Sequence, residues 1–164
     1  MRGHLYRDSV LLLNKLQPEF LTVGAFDRGP EWNSPRVASP YNRLYLVESG
    51  RAVVHRGPRK TVLRGGRVYL LPLGPDYAFS CRKELHKIYF HFRLDAVPGI
   101  DVFQNVGRVV SAPTPPQVSP KHLRLQLAKG NIEGHLRVAA MFQACLLALP
   151  LPQLGLDLQP KSVL

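Results

Sequence analysis

The run from Ile88 to Leu94 concentrates side chains that could do chemistry. Its apolar side chains all fall on one face of an extended chain, because successive residues of a strand point to opposite sides. The opposite face carries Tyr89, His91 and Arg93. The pattern predicts a strand with one face in a core. The other face presents a phenol, an imidazole and a guanidinium, which could contact a ligand or transfer a proton.

Signatures of catalysis are absent from the rest of the sequence. It holds no Gly-x-Ser-x-Gly, His-Glu-x-x-His, phosphate-binding loop or dinucleotide fingerprint, and its acidic residues are too scattered to indicate a carboxylate pair. Cys81 and Cys145 lie far apart in apolar surroundings, which predicts buried thiols in a reducing compartment. We therefore expect a binding protein that is not an enzyme.

Length and charge limit the number of domains and the kinds of binding partner. The 164 residues suit one domain with its own core, or a domain with a short appendage. The chain carries 22 Lys and Arg against 11 Asp and Glu, a net charge of +11, and residues 36–93 alone carry +9. Such a domain binds nucleic acid, an anionic ligand or an acidic partner, unless the charge is only a solvated surface. No apolar run reaches bilayer length and no signal peptide is evident, so we expect a soluble, cytoplasmic protein without membrane partners.

Short β-rich runs separated by turn residues fill most of the chain. Strands of this length and spacing predict a sandwich or barrel over residues 20–111. Residues 1–19 are expected to form an N-terminal arm or a short helix over Leu5–Leu16, ended by Pro18. The predicted strands are Phe20–Phe26, Leu44–Val47, Ala52–His55, Lys60–Leu63, Val68–Leu71, Tyr77–Cys81, Lys87–Leu94 and Val106–Val110.

The C-terminal part predicts two helices behind a Pro-rich connector, residues 112–120. Ser119 and Pro120 have the types preferred at a helix N-cap and first turn, and Gly130 is a plausible stop. Asn131 can then cap a second helix, Ile132–Leu149.

That second helix is apolar nearly all round, so it needs partners on more than one side. We expect the barrel on one side and a second copy of the chain on the other. Residues 121–150 are thus predicted to be a dimerising helical hairpin, and residues 151–164 the start of a linker. The predicted dimer interface consists of Ile132, Leu136, Phe142, Leu146 and Leu149.

Two stretches resemble the motifs of the cupin double-stranded β-helix. They are Tyr41-Asn-Arg-Leu-Tyr-Leu-Val-Glu-Ser-Gly50 and Leu63-Arg-Gly-Gly-Arg-Val-Tyr-Leu-Leu-Pro-Leu-Gly-Pro-Asp-Tyr77. With the later Tyr-Phe-His-Phe-Arg and the helical hairpin, their order resembles the N-terminal sensory domain of AraC-type transcriptional regulators over about residues 20–150.

The resemblance implies a fold and a set of partners. The expected fold is mainly β, a cupin-like jelly-roll barrel followed by a C-terminal α-helical hairpin. The barrel would bind a small-molecule effector and the hairpin would form a homodimer. DNA would be bound only through a C-terminal helix-turn-helix domain, and no such motif follows residue 150.

The family's metal-binding positions fall on Arg36, Ala38, Arg43 and Tyr77, with the first two placed only to within about a residue. Two guanidiniums, a methyl group and a phenol cannot coordinate a divalent cation, which needs imidazole, thiolate or carboxylate ligands. We therefore expect no metal and no other cofactor.

The resemblance also implies which side chains line the barrel. Guanidiniums suit a carboxylate, a phosphate or sugar hydroxyls, and aromatic faces stack on a sugar ring or a flat metabolite. Ordinary core filling and rim charges are the competing interpretation of these residues. The predicted ligand-binding residues are Arg36, Arg43, Tyr77, Phe79, Lys87, Tyr89 and His91.

Three functions are therefore weighed. The favoured one is the effector-binding and dimerisation domain of an AraC-like regulator that senses a sugar or an anionic metabolite. The second is a metal-independent cupin enzyme such as a sugar-nucleotide epimerase, with Tyr77 and His91 as acid and base, although the sequence offers His91 no partner nearby. The third is a single-stranded nucleic-acid binder that stacks bases on strand aromatics.

Overall fold

A computed structural model of the protein describes Val10 and residues 13–154. Within residues 16–154 the chain forms ten β-strands, two α-helices and a 3-10 helix, Leu151–Leu154. Of the predicted helix Leu5–Leu16 only Val10 and residues 13–16 are described, and Val10 and residues 13–15 are helical. Most of the predicted linker lies outside the described residues. The strands are β1 Glu19–Arg28, β2 Ser34–Ser39, β3 Asn42–Arg56, β4 Arg59–Arg64, β5 Arg67–Leu71, β6 Gly74–Ser80, β7 Leu85–Arg93, β8 Asp95–Val97, β9 Ile100–Asp101 and β10 Val110–Pro113; the helices are α1 Pro120–Lys129 and α2 Ile132–Ala148.

The longest strand, β3, joins two halves of an antiparallel sheet. Its first half pairs with β5 and β7 in the order β1-β7-β3-β5-β10, and its second half pairs with β4 and β6, with β2 beyond β6. The sequence predicted two strands separated by a turn. Instead, Gly50 takes φ +84° beside a register shift, so the strand bends without ending. A Cβ at Gly50 would clash with the carbonyl oxygen of Glu84, which explains the glycine.

Two apolar clusters lie on opposite sides of the first half-sheet. One fills the barrel between the two half-sheets and includes Val47, Val54, Leu63, Leu71, Tyr77 and Leu85. The other lies between the half-sheet and the helices and includes Leu46, Leu70, Phe90, Phe92, Phe142 and Cys145. The predicted core face of β7 is therefore confirmed, and it packs beneath the helices. The opposite face of β7 looks into the barrel.

The helical pair begins and ends where the sequence predicts. Ser119 accepts a hydrogen bond from the backbone N–H of His122, and Pro120 occupies the first turn of α1. Gly130 ends α1 with φ +63°, in the left-handed conformation that favours glycine. The side chain of Asn131 accepts from the N–H of Gly134 and so caps α2.

A buried polar pair fixes the start of β3. The side chain of Asn42, which is fully buried, donates to Oδ2 of Asp101 at 2.8 Å and accepts from the backbone N–H of Leu73 at 3.0 Å. Asp101 also accepts from the N–H groups of Leu94 and Phe103, both at 2.8 Å. Every polar side-chain atom of Asn42 and Asp101 has a hydrogen-bond partner, so burying these two side chains costs little free energy.

The structure corrects three expectations about the elements and confirms the cysteines' environment. The Pro-rich segment before Tyr41 contains a strand, β2, and the last strand is Val110–Pro113 rather than Val106–Val110. A short β8–β9 hairpin lies between β7 and β10. Cys81 and Cys145 are both buried and free, as predicted.

The predicted dimer residues divide between surface and interior. Ile132 and Leu136 are exposed, by 82% and 67% of their surface. Phe142, Leu146 and Leu149 are buried within the chain, because α2 packs these side chains against the barrel, so they do not lie on its outer face. Leu147, which was not predicted, is exposed on the outside of α2.

The fold class predicted from the sequence is confirmed. The chain is mainly β, with a cupin-like antiparallel barrel followed by a C-terminal helical pair. Among the residues that the structure describes, no helix combines the length and the apolar character needed to cross a bilayer.

Candidate functional site

A cavity of about 410 Å³ opens on the inner face of the barrel, between β1, β2, β3, β6 and β7. Its size falls in the range of small-molecule sites. None of the described residues that line it is Asp or Glu. The lining residues are Phe26, Trp32, Ser34, Val37, Ala38, Arg43, Tyr45, Phe79, Lys87, Tyr89 and His91.

Neighbouring strands β3 and β7 supply the polar wall. Arg43 lies directly opposite His91 in the antiparallel register, and Tyr45 lies opposite Tyr89. Lys87 lies opposite Val47, two residues further along. Because residues two apart share one face of a strand, these side chains all point into the cavity.

Lys87 is held in a cage of aromatic rings formed by Phe26, Trp32 and Tyr45. Its Nζ lies 3.5 Å from the centre of the Tyr45 ring, 3.8 Å from that of Trp32 and 5.0 Å from that of Phe26. The side chain is 97% buried and makes no ion pair with any residue that the structure describes. Burial, followed by the charge of Arg43, holds the pKa of Lys87 well below its usual value. The ring faces attract the protonated form and partly offset this cost.

Arg43 is the second cation of the cavity, and it is 9% exposed. Its guanidinium carbon lies 4.9 Å from the centre of the Tyr41 ring and 5.5 Å from that of Phe79. Nη1 of Arg43 is buried and has no hydrogen-bond partner among the described residues. A buried N–H group without a partner is costly, since it has lost its water without gaining an acceptor. An anion in the cavity would supply that acceptor.

His91 is neutral at ordinary pH. Burial, with the charges of Arg43 and Lys87, lowers the pKa of His91 to about 4. Its ring stacks on Tyr41 with 4.7 Å between ring centres and lies 5.0 Å from the ring of Tyr89. A neutral imidazole can donate one hydrogen bond and accept another, so His91 adds polarity to the wall without adding charge.

Gly24 on β1 makes room for the hydroxyl of Tyr89. The two residues face each other in the β1–β7 register, and a Cβ at position 24 would lie 2.8 Å from the Tyr89 oxygen. Any side chain there would move the phenol. The glycine therefore sets where the cavity presents this hydroxyl.

The structure brings five of the seven predicted ligand residues together: Arg43, Phe79, Lys87, Tyr89 and His91 all line the cavity. Arg36 does not, since it is exposed on β2. Tyr77 lies next to the cavity in the barrel core, and its hydroxyl donates to the carbonyl of Pro72 at 2.6 Å and accepts from Arg56 at 3.1 Å. Burial raises the pKa of Tyr77 to about 12.

Sequence reasoning missed the three residues of the cage. Phe26 and Trp32 belong to β1 and to the loop after it, and neither falls in one of the motifs. Tyr45 could have been found, because it is two residues from Arg43, which directly precedes the predicted strand Leu44–Val47, and in a strand that begins earlier the two share a face. Trp32 is the only tryptophan of the chain, in a polar stretch where an apolar side chain is unexpected.

The family's metal positions do not converge on a ligand set. Arg36 is exposed on β2, Ala38 and Arg43 line the cavity with a methyl group and a guanidinium, and the Tyr77 hydroxyl is engaged in the core. Within residues 13–154 and Val10, no group of three or more His, Cys, Asp or Glu side chains is placed to hold a metal ion. That no metal binds remains a prediction.

Comparison with solved structures finds proteins of the cupin fold at low similarity. A cupin superfamily protein from Desulfitobacterium hafniense is 16% identical, over 58% of this chain and 94% of that one, with a TM-score of 0.39. The EutQ protein of Clostridium difficile is 17% identical, over 46% and 65%, with a TM-score of 0.39. A cupin-2 domain protein from Shewanella frigidimarina is 13% identical, over 53% and 91%, with a TM-score of 0.37. No protein-family model and no curated protein matches the chain.

Proposed function

We propose that this chain is the effector-binding and dimerisation domain of an AraC-like transcriptional regulator, and that its effector is a small anion with a flat or apolar body. One observation supports the ligand class above all others. Nη1 of Arg43 is buried without a partner in a cavity that also holds Lys87 and has no acidic side chain in its lining. A guanidinium and an amine that are both buried without a counter-charge favour a carboxylate or a phosphate.

The rest of the lining fits the body of such a ligand. The rings of Trp32 and Phe79 lie 5.1 Å apart and offer apolar faces to a flat group. Tyr89 and neutral His91 can exchange hydrogen bonds with hydroxyl or carbonyl oxygens. A neutral sugar could bind Tyr89 and His91 but would give the Arg43 guanidinium and the Lys87 amine no negative charge. We therefore favour an anion over a neutral sugar.

In this function the chain binds its effector and does not convert it chemically. The competing epimerase hypothesis assigned Tyr77 and His91 as acid and base, but the Tyr77 hydroxyl is already bonded to Pro72 and Arg56. No carboxylate lies in the cavity lining to assist His91. These contacts favour a sensor over an enzyme.

The regulator hypothesis rests on the order of the barrel and the helical pair. The exposed apolar residues Ile132, Leu136 and Leu147 follow one side of α2, and apolar side chains in such a row favour contact with a second copy of the chain. DNA would be bound by a helix-turn-helix domain outside this chain. Such a regulator acts in the cytoplasm, where its target lies.

A path from the cavity to the helices starts at neighbouring residues of β1. Phe26 lines the cavity, and Asp27 accepts two hydrogen bonds from Arg124 of α1, at 2.7 and 2.9 Å. The same guanidinium binds Glu48 of β3, with Nε 3.0 Å from both carboxylate oxygens. A ligand that moves the end of β1 would therefore move α1 and shift the balance between two arrangements of the dimer.

Titration with a panel of small carboxylates, phosphates and neutral sugars tests the ligand class. Trp32, as the sole tryptophan, reports binding by fluorescence, and the melting temperature rises with the concentration of any ligand that binds only the folded state. We expect anions to bind and Arg43→Gln to weaken them roughly ten- to a hundredfold, because a charged hydrogen bond contributes about 1.5 to 3 kcal/mol.

The exposed Arg36 provides the matched control. Arg36→Gln removes the same charge outside the cavity and is expected to leave the affinity unchanged. Equal losses in the two variants would show that net charge alone attracts the anions. Chemical conversion of a bound compound would replace the sensor hypothesis with an enzymatic one.

A further inference from the structure

The hairpin of β3 and β4 places basic residues opposite one another, among them the two guanidiniums of Arg51 and Arg64. Across this hairpin Arg51 lies opposite Arg64, and His55 lies opposite Lys60. Paired side chains in an antiparallel sheet are about 5 Å apart, and like charges at that distance destabilise the pairing. The hairpin contains no acidic residue between Arg51 and Arg64 that could offset them.

These four residues, which we term the basic face, share the outer side of the sheet. The residues that alternate with them, Ala52, Val54 and Leu63, are buried in the barrel. Arg51, Lys60 and Arg64 are exposed and His55 is half-buried. None of the ion pairs among the described residues involves the basic face.

The positive surface extends past the hairpin. The thiol of Cys81 donates to the carbonyl of Arg51, which brings the loop after β6 beside the basic face. That loop carries exposed Arg82 and Lys83. Its one acid, Glu84, lies 3.7 Å from His86 of β7. At the other end, the backbone carbonyl of Asp76 accepts from the N–H of Gly57 in the hairpin turn, so one exposed acid lies beside that turn.

The chemistry of the face favours a phosphate backbone over an acidic protein. Protein interfaces are centred on aromatic or other apolar anchors, whereas the only apolar pair on this face is Val53 and Val62, both half-buried. Phosphate contacts need cations alone and can be made by a flat surface that enters neither groove. We infer that the basic face binds the phosphodiester backbone of duplex DNA without regard to sequence.

This binding goes beyond the proposed function, which assigns DNA only to another domain, and does not depend on the ligand cavity. It predicts that the chain binds two unrelated 20-base-pair duplexes equally well. With Arg51, Lys60, Arg64 and Arg82 each neutralising one phosphate, the plot of log K against log salt concentration should have a slope of about −3 to −4. Fluorescence anisotropy of labelled duplexes between 50 and 200 mM salt measures it.

A pair of double variants locates the contact. Arg51→Gln with Arg64→Gln should make the slope shallower by about two, because two phosphate contacts are lost. Lys121→Gln with Lys129→Gln removes the same charge from exposed positions on α1 and should leave the slope unchanged. Equal effects in the two double variants would overturn the assignment, because net charge alone would then attract the DNA.

Charge reversal separates binding from folding. Arg64→Glu places an acid opposite Arg51, so it should raise the melting temperature while it weakens DNA binding. A merely structural role for Arg64 predicts the opposite change in stability.

A competition experiment distinguishes DNA from an acidic protein. The labelled duplex is displaced either by unlabelled duplex or by polyglutamate of equal total charge. If polyglutamate displaces it equally well, the partner is an acidic protein and the inference is wrong. The Trp32 titration with small anions should be unaffected in all these variants.

Discussion

The amine of Lys87 lies 3.8 Å from the centre of the Trp32 ring, so the only tryptophan of the chain contacts a buried amine. The ring belongs to a loop that follows β1, and the amine to the middle of the barrel wall. The contact therefore ties the position of the loop to the charge in the cavity. An anion bound at the amine would change the surroundings of Trp32 directly.

Replacement of Lys87 by methionine should stabilise the folded protein at pH 7 and abolish anion binding. Removing a buried charge relieves its desolvation, by roughly 1 to 2 kcal/mol in the free energy of unfolding. The pKa of Lys87 is lowered on folding, so between the folded pKa and about 10.4 the unfolded chain binds more protons than the folded chain. The loss in free energy of unfolding caused by burying Lys87 therefore grows as pH falls from about 10.4 towards the folded pKa. The gain from Lys87→Met should accordingly shrink as pH rises to about 10.4.

Urea denaturation at pH 7 and pH 10 measures this, with the exposed Lys121→Met as control. If Lys87→Met is less stable than the parent at pH 7, attraction to the aromatic cage exceeds the cost of burial.

His91 should make the protein less stable in mild acid. Its pKa is about 4 in the folded protein and about 6.5 in an unfolded chain, so between these values the unfolded state binds more protons. Stability is then lost as pH falls from 6.5 to 4. His91→Gln should flatten this part of the profile of melting temperature against pH, whereas His135→Gln, exposed on α2, should not. Parallel profiles for the parent and His91→Gln would refute the assignment.

Leu136→Glu should convert a dimer into a monomer. Leu136 is 67% exposed in the single chain, so a charge there costs the fold little but would be buried in a dimer across α2. Sedimentation velocity at increasing concentration provides the measurement. His135→Glu adds a charge one residue away and should leave the association largely intact. A parent protein that sediments as a monomer at high concentration would exclude this interface.

Arg124→Gln should loosen α1 from the barrel. The guanidinium of Arg124 bridges Asp27 and Glu48, and losing it leaves a partly buried Glu48 carboxylate without its partner. We expect a loss of about 1 to 2 kcal/mol in the free energy of unfolding. Arg137→Gln breaks an exposed ion pair within α2 and should cost far less. In the regulator hypothesis Arg124→Gln also leaves ligand affinity nearly unchanged, but ligand binding should then move α1 less.

Sequence patterns predict the local features of this fold well. The caps at Ser119 and Asn131 and the stop at Gly130 each depend on one side chain and its immediate backbone, so the residue type alone indicates them. The alternation in β7 is equally local. Gly50 was misleading, because glycine serves turns and bends within a strand alike, and only the tertiary clash with Glu84 distinguishes them.

The candidate site was harder to predict because chain segments distant in sequence build it. The family resemblance placed Lys87 in the cavity, but Trp32 reaches it from a loop more than fifty residues earlier. Arg36 was placed by counting back from Gly50, and such a count fails once the intervening segment holds an irregular strand. Tyr77 has a position next to the cavity, but its hydroxyl is taken up by Pro72.

The run Asn42–Val47 is buried on both faces of β3, so apolar patterning cannot distinguish the native strand alignment from one displaced by a residue. The choice falls to the polar residues of the run: the amide of Asn42 binds Asp101 and Leu73, and Arg43 faces the cavity rather than the apolar cluster beneath the helices. Two polar side chains thus select among alignments that hydrophobic burial alone leaves nearly equal in free energy. A change such as Asn42→Leu would keep the core hydrophobic but would no longer favour a single strand alignment. We expect several sets of backbone amide signals in NMR spectra of this variant rather than simple unfolding.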